Sequence, residues 1–336
     1  MSNINGRYSQ YDIDAIGKEI ALRSLPVIGG RWFHVNPNTT YNANTNPYPG
    51  NNSYNGLTRE LPKAHLLNAY TECYSGRGDG IVLYSNGTSS STTTSYMASS
   101  LTWSKHGITL FGASSGSLYS GRARISNSAE TLATLITMSG SNNRFINLGM
   151  FNSGTTGTGC LSVTGDRNTF DLVHSVGGAG VTTASTADMD LHLEGSENVF
   201  NRCTFGTDTF DKEDLAGWNI QLTNFADRNR FNGCEFNQNR AAGTTAGAIH
   251  LLSNSAITRD LIFDNCHFGV WRTAALTAEA SVLIGHVPNN GHIIFRNNCT
   301  KKGFADWCAV GMTASCYVFM PQGHENGGAA VAANPS

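Results

Sequence analysis

The sequence predicts an all-β chain wound as a single-stranded parallel β-helix of about seven or more coils. Three observations carry that expectation. A six-residue phrase recurs: "FNRCTF" at 200–205, "FNGCEF" at 231–236 and "FDNCHF" at 263–268, with degenerate copies beginning at Phe145, Phe170 and Phe295. The step between successive phrases stays between 25 and 32 residues, the mark of a stacked repeat. Inside the phrase, apolar residues occupy positions 0, +3 and +5. Neither a helix nor a straight strand has that spacing.

A bend at position +2 resolves the pattern. If the chain turns a corner there, positions 0, +3 and +5 all point inward. The residues at +2 are Asn147, Leu172, Arg202, Gly233, Asn265 and Asn297. Four of the six are Asn or Gly, which take left-handed backbone at least cost. Coils with such corners stack at about 4.8 Å, so equivalent residues lie above one another. Phe145 to Phe295 should then form an internal aromatic column, and Cys203, Cys234 and Cys266 an internal column of thiols. A second strand precedes each phrase, as in "LITMSG" (135–140), "CLSVTG" (160–165), "LHLEGS" (191–196), "NIQLTN" (219–224) and "AIHLLS" (248–253). Between the two lies a turn with Asn143, Asn168, Asn198 or Asn229. Leu261 and Ile293 replace Asn in the last copies, so the turn should change there. A β-sandwich gives no reason for a fixed-period phrase, and a propeller blade is longer than this step.

The composition agrees. Charged residues are 14% of 336, Gly numbers 37, and 40% of residues are hydrophobic, including 16 Phe and 5 Trp. That favours short strands and many turns over long salt-bridged helices, with enough apolar material for a core. A net charge of −2 without a basic block argues against nucleic acid as partner. No apolar run suits a membrane span or a signal peptide, so synthesis in a cytoplasm and free, buried thiols are expected for the eight cysteines. No CxxC pair marks a zinc site, and no cofactor or metal is expected.

Three segments are expected: an N-terminal arm (1–60), the β-helix with a capping helix (61–304), and a C-terminal cap or trimer-contact tail (305–336). Ile13, Ile16, Ile20 and Leu22 suggest a helical stretch ended by Pro26. The Asn- and Pro-rich 34–56 reads as an extended arm held by other chains. "LPKAHLLNAYTECY" reads as a helix over 61–73 that covers the first coil. The Arg77-Gly78-Asp79 triplet in "SGRGDG" is read as a turn rather than an adhesion motif.

For chemistry, "DMDLHLEG" places Asp188, Asp190, His192 and Glu194 on one outer strip, with Gln221 and His250 beside it in the next coils. Asp190, His192 and Glu194 are the candidates for acid–base hydrolysis of a glycan. The bland alternative is a solvated strand face. The acidic loop at 211–214 reads the same way. No Ser-His-Asp spacing, P-loop or dinucleotide fingerprint is present.

With the phrases, the helix before "SGRGDGIVLY" and the polar arm in view, the chain resembles phage virion right-handed β-helix proteins over about residues 61–300. These comprise pectate-lyase-like and tailspike folds, and "GRGDG" is similar to the GDG turn opening many tailspike β-helices. The usual Asp-Asp-Thr after it is absent. The resemblance implies a homotrimer on a virion surface, made in the host cytoplasm and attached through residues 1–60 to a major capsid or other virion protein. Tyr8, Tyr11, Ile16, Ile20, Trp32, Phe33, Tyr41 and Tyr48 would make those contacts. The expected function is non-enzymatic: a capsid decoration or cement protein. The alternatives are a receptor-binding tailspike that recognises host glycan and, last, a polysaccharide lyase or hydrolase.

Overall fold

The computed structural model describes residues 29–43, 46–84, 94–114, 122–128, 131–154, 159–178, 189–209, 217–239, 247–271, 281–304, 306–309, 316–319 and 330–332. Its strands form three long, essentially parallel sheets of eleven, eight and eight strands, a right-handed parallel β-helix. The chain divides into two compact units, a smaller and a larger.

In the larger unit each coil visits three faces in turn. The first sheet runs through Leu101–Trp103, Thr134–Met138, Gly159–Val163, Met189–Leu193, Trp218–Leu222, Ile249–Leu251, Ser281–Gly285 and Asp306–Cys308. The second holds the front half of each phrase, such as Val199–Asn201 and Arg230–Asn232, and the third holds the back half, such as Thr204–Gly206 and Glu235–Gln238. Registers align the phrases residue for residue: Phe170, Phe200, Phe231, Phe263 and Phe295 are successive partners across the strands. Their rings stack with centroids 4.7, 4.5, 4.9 and 5.1 Å apart. Phe205, Phe236 and Phe268 build a second column, which meets the first edge-on. Each of these rings is at most 1% exposed. Burying one stabilises by roughly 1.5–3 kcal/mol, plus about 0.5–1.5 for each favourable ring pair.

The corner at +2 is left-handed in every copy, with φ between 51° and 59° at Asn147, Leu172, Arg202, Gly233, Asn265 and Asn297. Leu172 and Arg202 adopt it despite their side chains, so the stacking of neighbouring coils overrides local preference. In the turn before the phrase the buried asparagines form a ladder. The N–H of Asn143 donates to Oδ1 of Asn168, that of Asn168 to Asn198, and that of Asn198 to Asn229, at 2.9, 2.8 and 2.8 Å. Leu261 and Ile293 continue the column as buried apolar residues. Gly195 closes this turn so tightly that a Cβ would lie 2.0 Å from the Gly165 carbonyl oxygen.

Cys299 stands one residue late in its phrase, suggesting lost register. Yet Thr300 pairs with His267, which sets Cys299 beside Cys266; the extra residue is absorbed at the corner and the sheet continues. Beyond 304, Asp306–Cys308 and Cys316–Phe319 add parallel strands to the first and second sheets, and Ala330–Ala332 pairs antiparallel with Cys316–Phe319. Asp306–Cys308 and Cys316–Phe319 therefore continue the sheets past the last phrase.

In the smaller unit Trp32–Val35, Gly80–Tyr84 and Thr109–Ala113 are parallel neighbours with Phe33, Val35, Ile81, Leu83 and Leu110 buried. The helix spans only Leu66–Glu72, packing Leu66, Ala69 and Tyr70 inward, not the whole of 61–73. Its expected first turn is consumed by strand-like pairing: the Lys63 N–H donates to the His34 carbonyl, and the Asn36 N–H to that of Lys63. The described part of 34–56 is folded, not extended. Asn36 Nδ2 donates to Asn46 Oδ1 at 2.8 Å, Asn46 Nδ2 donates to the Asn38 and Thr40 carbonyls, and Asn52 Oδ1 accepts the N–H groups of Ala64 and His65. Asparagine here closes turns, because a short amide satisfies nearby backbone without a sheet. The helical stretch expected at 13–22 lies outside the described residues.

Candidate functional site

The outer strip of the first sheet is where sequence placed chemistry, and the registers align it as expected: Ser162, His192, Gln221 and His250 are successive partners across the strands. Its members separate in role. Asp190 is not on the solvent strip. It is fully buried, with one carboxylate oxygen accepting the Gly177 N–H at 2.9 Å and the other accepting Asn219 Nδ2 at 2.8 Å. Asn219 in turn contacts Gln238, whose amide donates to the Gly247 carbonyl. The alternation that put Asp190 outward is correct for the strand. What sequence missed is that the neighbouring backbone at Ser175 and Gly177 covers the strand's start, the Ser175 hydroxyl donating to the Asp190 carbonyl. A carboxylate held this way is a clasp between faces.

His192 is half-buried, with Nδ1 3.0 Å from the Ser162 hydroxyl and Nε2 3.0 Å from that of Thr223. Burial pushes its pKa down, and Glu194 opposes that only in part. Neutral imidazole has one donor and one acceptor nitrogen, so one hydroxyl donates to the ring and the other accepts. Both ring nitrogens thus meet hydroxyls rather than a carboxylate. Glu194 is half-buried two residues along. Next along the strip His250 stacks on Trp218 with centroids 4.3 Å apart, and burial pushes its pKa down as well. Asp188 and the 211–214 loop lie outside the described residues. Among the described residues no group of three or more His, Cys, Asp or Glu could hold a metal ion.

Two surfaces were not singled out from sequence. An open groove of about 570 Å³ follows the left-handed corner, lined by Asp171, Asn201, Arg202, Asn232, Gly233, Asp264 and Asn265. Asn232 Nδ2 donates to Asn201 Oδ1 and Asn201 Nδ2 to Asp171, whose other oxygen accepts from Arg144; Arg296 pairs with Asp264. The signal was legible, since position +1 of the phrase is polar from Asp171 onward. The second surface is on the third sheet, where Trp271 is 41% exposed. Its indole N–H donates to Asn237 Oδ1 at 2.7 Å, Lys302 Nζ lies 4.5 Å from its ring centroid, and His267 is beside it. The ring lies over Gly269, where a Cβ would come within 2.9 Å of Nε1.

Of the expected partner contacts, Phe33 is 4% exposed, so it belongs to the core and not to a partner surface. Trp32 is half-buried against a buried cluster of Val82, Tyr84, Phe111 and Ala113. Tyr41 and Tyr48 are exposed. Tyr8, Tyr11, Ile16 and Ile20 lie outside the described residues. Asp79 is fully buried, accepting from Arg77 through both carboxylate oxygens at 2.6 Å and from the N–H groups of Arg31 and Tyr74. Burial alone would raise its pKa; those partners hold it below the ordinary range. The triplet's carboxylate is committed within the fold.

No family model matches the chain. No curated relative matches it either. Among solved structures it is similar to pectate lyase Pel9A, with a TM-score of 0.52 and 14% identity, covering 88% of this chain and 77% of that one. It is similar also to rhamnogalacturonan lyase, with a TM-score of 0.49, 15% identity and coverage of 81% and 68%. For pectin methylesterase from Aspergillus niger the TM-score is 0.48, with 14% identity and coverage of 78% and 82%. At such identity the likeness is one of fold.

Proposed function

We propose that the chain is a non-enzymatic virion-surface protein, a homotrimeric capsid decoration or cement protein attached through its N-terminal segment. The carrying observation is the fate of Asp190. Glycan hydrolysis by paired carboxylates needs both in reach of substrate, and Asp190 is buried and occupied by Gly177 and Asn219. His192, wedged between Ser162 and Thr223, serves as a cross-coil tie. What remains is a polar solenoid, with exposed Tyr41 and Tyr48 on the folded Asn-rich segment offered to a neighbour.

The test is reattachment to particles stripped of this protein. A deletion should stop before Trp32, because Phe33 and Val35 are core residues. A chain lacking residues 1–28 and carrying Tyr41→Ala and Tyr48→Ala should remain a folded trimer and fail to bind. If it still decorates particles, attachment does not run through that segment. Copy number per particle separates decoration, with dozens or hundreds, from a tail position with a few trimers. Turnover of host polysaccharide that disappears in Glu194→Gln would overturn the non-enzymatic reading.

A second reading, glycan recognition, is favoured by Trp271. A lone exposed indole fixed by its N–H and flanked by Asn237, His267 and Lys302 suits a sugar ring, whose C–H face packs on an aromatic and whose hydroxyls pair with polar neighbours. Loss of glycan-array signal in Trp271→Ala would support it. An unchanged signal would remove this surface from the reading.

A further inference from the structure

The thiol column does more than fill space. Cys203, Cys234, Cys266 and Cys299 occupy successive coils, and each Sγ donates to a Phe carbonyl of the preceding coil: Phe170, Phe200, Phe231 and Phe263, at 3.3–3.4 Å. The first three are at most 1% exposed. Cys299 differs. Its sulfur keeps the column's second carbonyl contact, to Arg296 at 3.2 Å, as its neighbours do to Asn201, Asn232 and Asp264, but it is half-buried and also accepts the Cys266 N–H at 3.4 Å. The column therefore has one sulfur within reach of solvent, in contact with a partner that is buried.

We propose that Cys266 and Cys299 are a modification site, a thiol pair that a small-molecule disulfide converts into an inter-coil disulfide. Paired strands stand about 4.8 Å apart, within the about 4.4–6.8 Å between Cα atoms that a disulfide spans. In straight in-register strands the Cβ atoms are also about 4.8 Å apart, beyond the about 3.5–4.5 Å a disulfide prefers. Cys203 and Cys234 meet that obstacle and stay thiols. At Cys266 and Cys299 one extra residue enters the strand at the corner, and the Cys299 sulfur comes to 3.4 Å from the Cys266 backbone nitrogen, so this pair is not a straight in-register one.

The steps balance. The Cys299 thiolate attacks one sulfur of the small disulfide, forming a mixed disulfide and expelling one thiolate. The Cys266 thiolate then attacks the Cys299 sulfur, forming the Cys266–Cys299 bond and expelling the second. Two cysteine protons end on the two small thiols released. The protein is oxidised by two electrons and the reagent reduced by two. The pair is reduced in a cytoplasm and closes on transfer to an oxidising medium. The inference stands apart from the virion reading, since it needs only the fold.

The experiment uses the full folded chain with hydroxyethyl disulfide, followed by mass spectrometry and peptide mapping. The expected product is lighter by two hydrogen atoms, carries a Cys266–Cys299 cross-link, and reverts with dithiothreitol. Cys266→Ala should instead accumulate the mixed disulfide on Cys299, and Cys299→Ala should form neither. The proposal is overturned if the folded wild-type chain forms no cross-link, if the link maps only to Cys308 and Cys316, or if an adduct on wild-type Cys299 persists unresolved. The wild-type map decides even if a variant fails to fold.

Discussion

At the residue scale, the left-handed corner separates what a side chain prefers from what its place imposes. Arg202 and Leu172 hold φ of 51° and 56° where other copies have Asn or Gly. An L-residue without special tolerance incurs about 1–2 kcal/mol there, so Arg202→Asn should raise stability by up to about 1 kcal/mol in urea unfolding. A loss would mean that the Arg202 side chain makes compensating contacts. Asp190 predicts the opposite. Asp190→Asn turns an acceptor toward donors into a mixed group, and leaving a buried donor unpaired costs about 1–3 kcal/mol or more. Stability should fall while the surface is unaltered. His34 gives a pH signature. Burial lowers its pKa from 6.5 to about 4, with Glu60 opposing and Arg59 adding to the shift. A folded-state pKa below the unfolded one means full stability above pH 6.5, lost as pH falls toward 4. Allowing for partial exposure, the loss should be about 2 kcal/mol, and His34→Gln should flatten that part of the pH–stability curve.

At the scale of elements, turns and corners carry the repeat. The asparagine ladder joins Asn143, Asn168, Asn198 and Asn229 through buried backbone N–H donors. Asn198→Ala strips one acceptor from the Asn168 N–H and should cost about 1–3 kcal/mol, measured as a lower urea midpoint with an unchanged slope. The sequence signalled this turn by its recurring Asn and the change of turn at Leu261. It did not signal that the helix would shrink to Leu66–Glu72, since an amphipathic pattern over 61–73 cannot tell a first helical turn from residues pairing with the His34 strand. Nor did polar composition over 34–56 distinguish an extended arm from a segment closed on itself by side-chain amides.

At the scale of the molecule, the aromatic columns hold the larger unit's coils in one register. Phe231 stacks between Phe200 and Phe263 and meets Phe205 and Phe236 edge-on. Phe231→Ala should cost about 3–5 kcal/mol, and Phe231→Leu markedly less, because Leu refills most of the volume. Equal losses would mean that ring stacking, rather than volume, dominates. The repeat period, the inward Phe and Cys positions and the +2 corner were determined by sequence alone, because each is a periodic constraint written once per coil. Only the tertiary structure decided that Asp190 is covered, that Asp79 is bound by Arg77, that Cys299 rejoins its column and that Trp271 stands exposed. Those outcomes depend on which backbone passes over a side chain from another coil or turn, and strand alternation does not encode that.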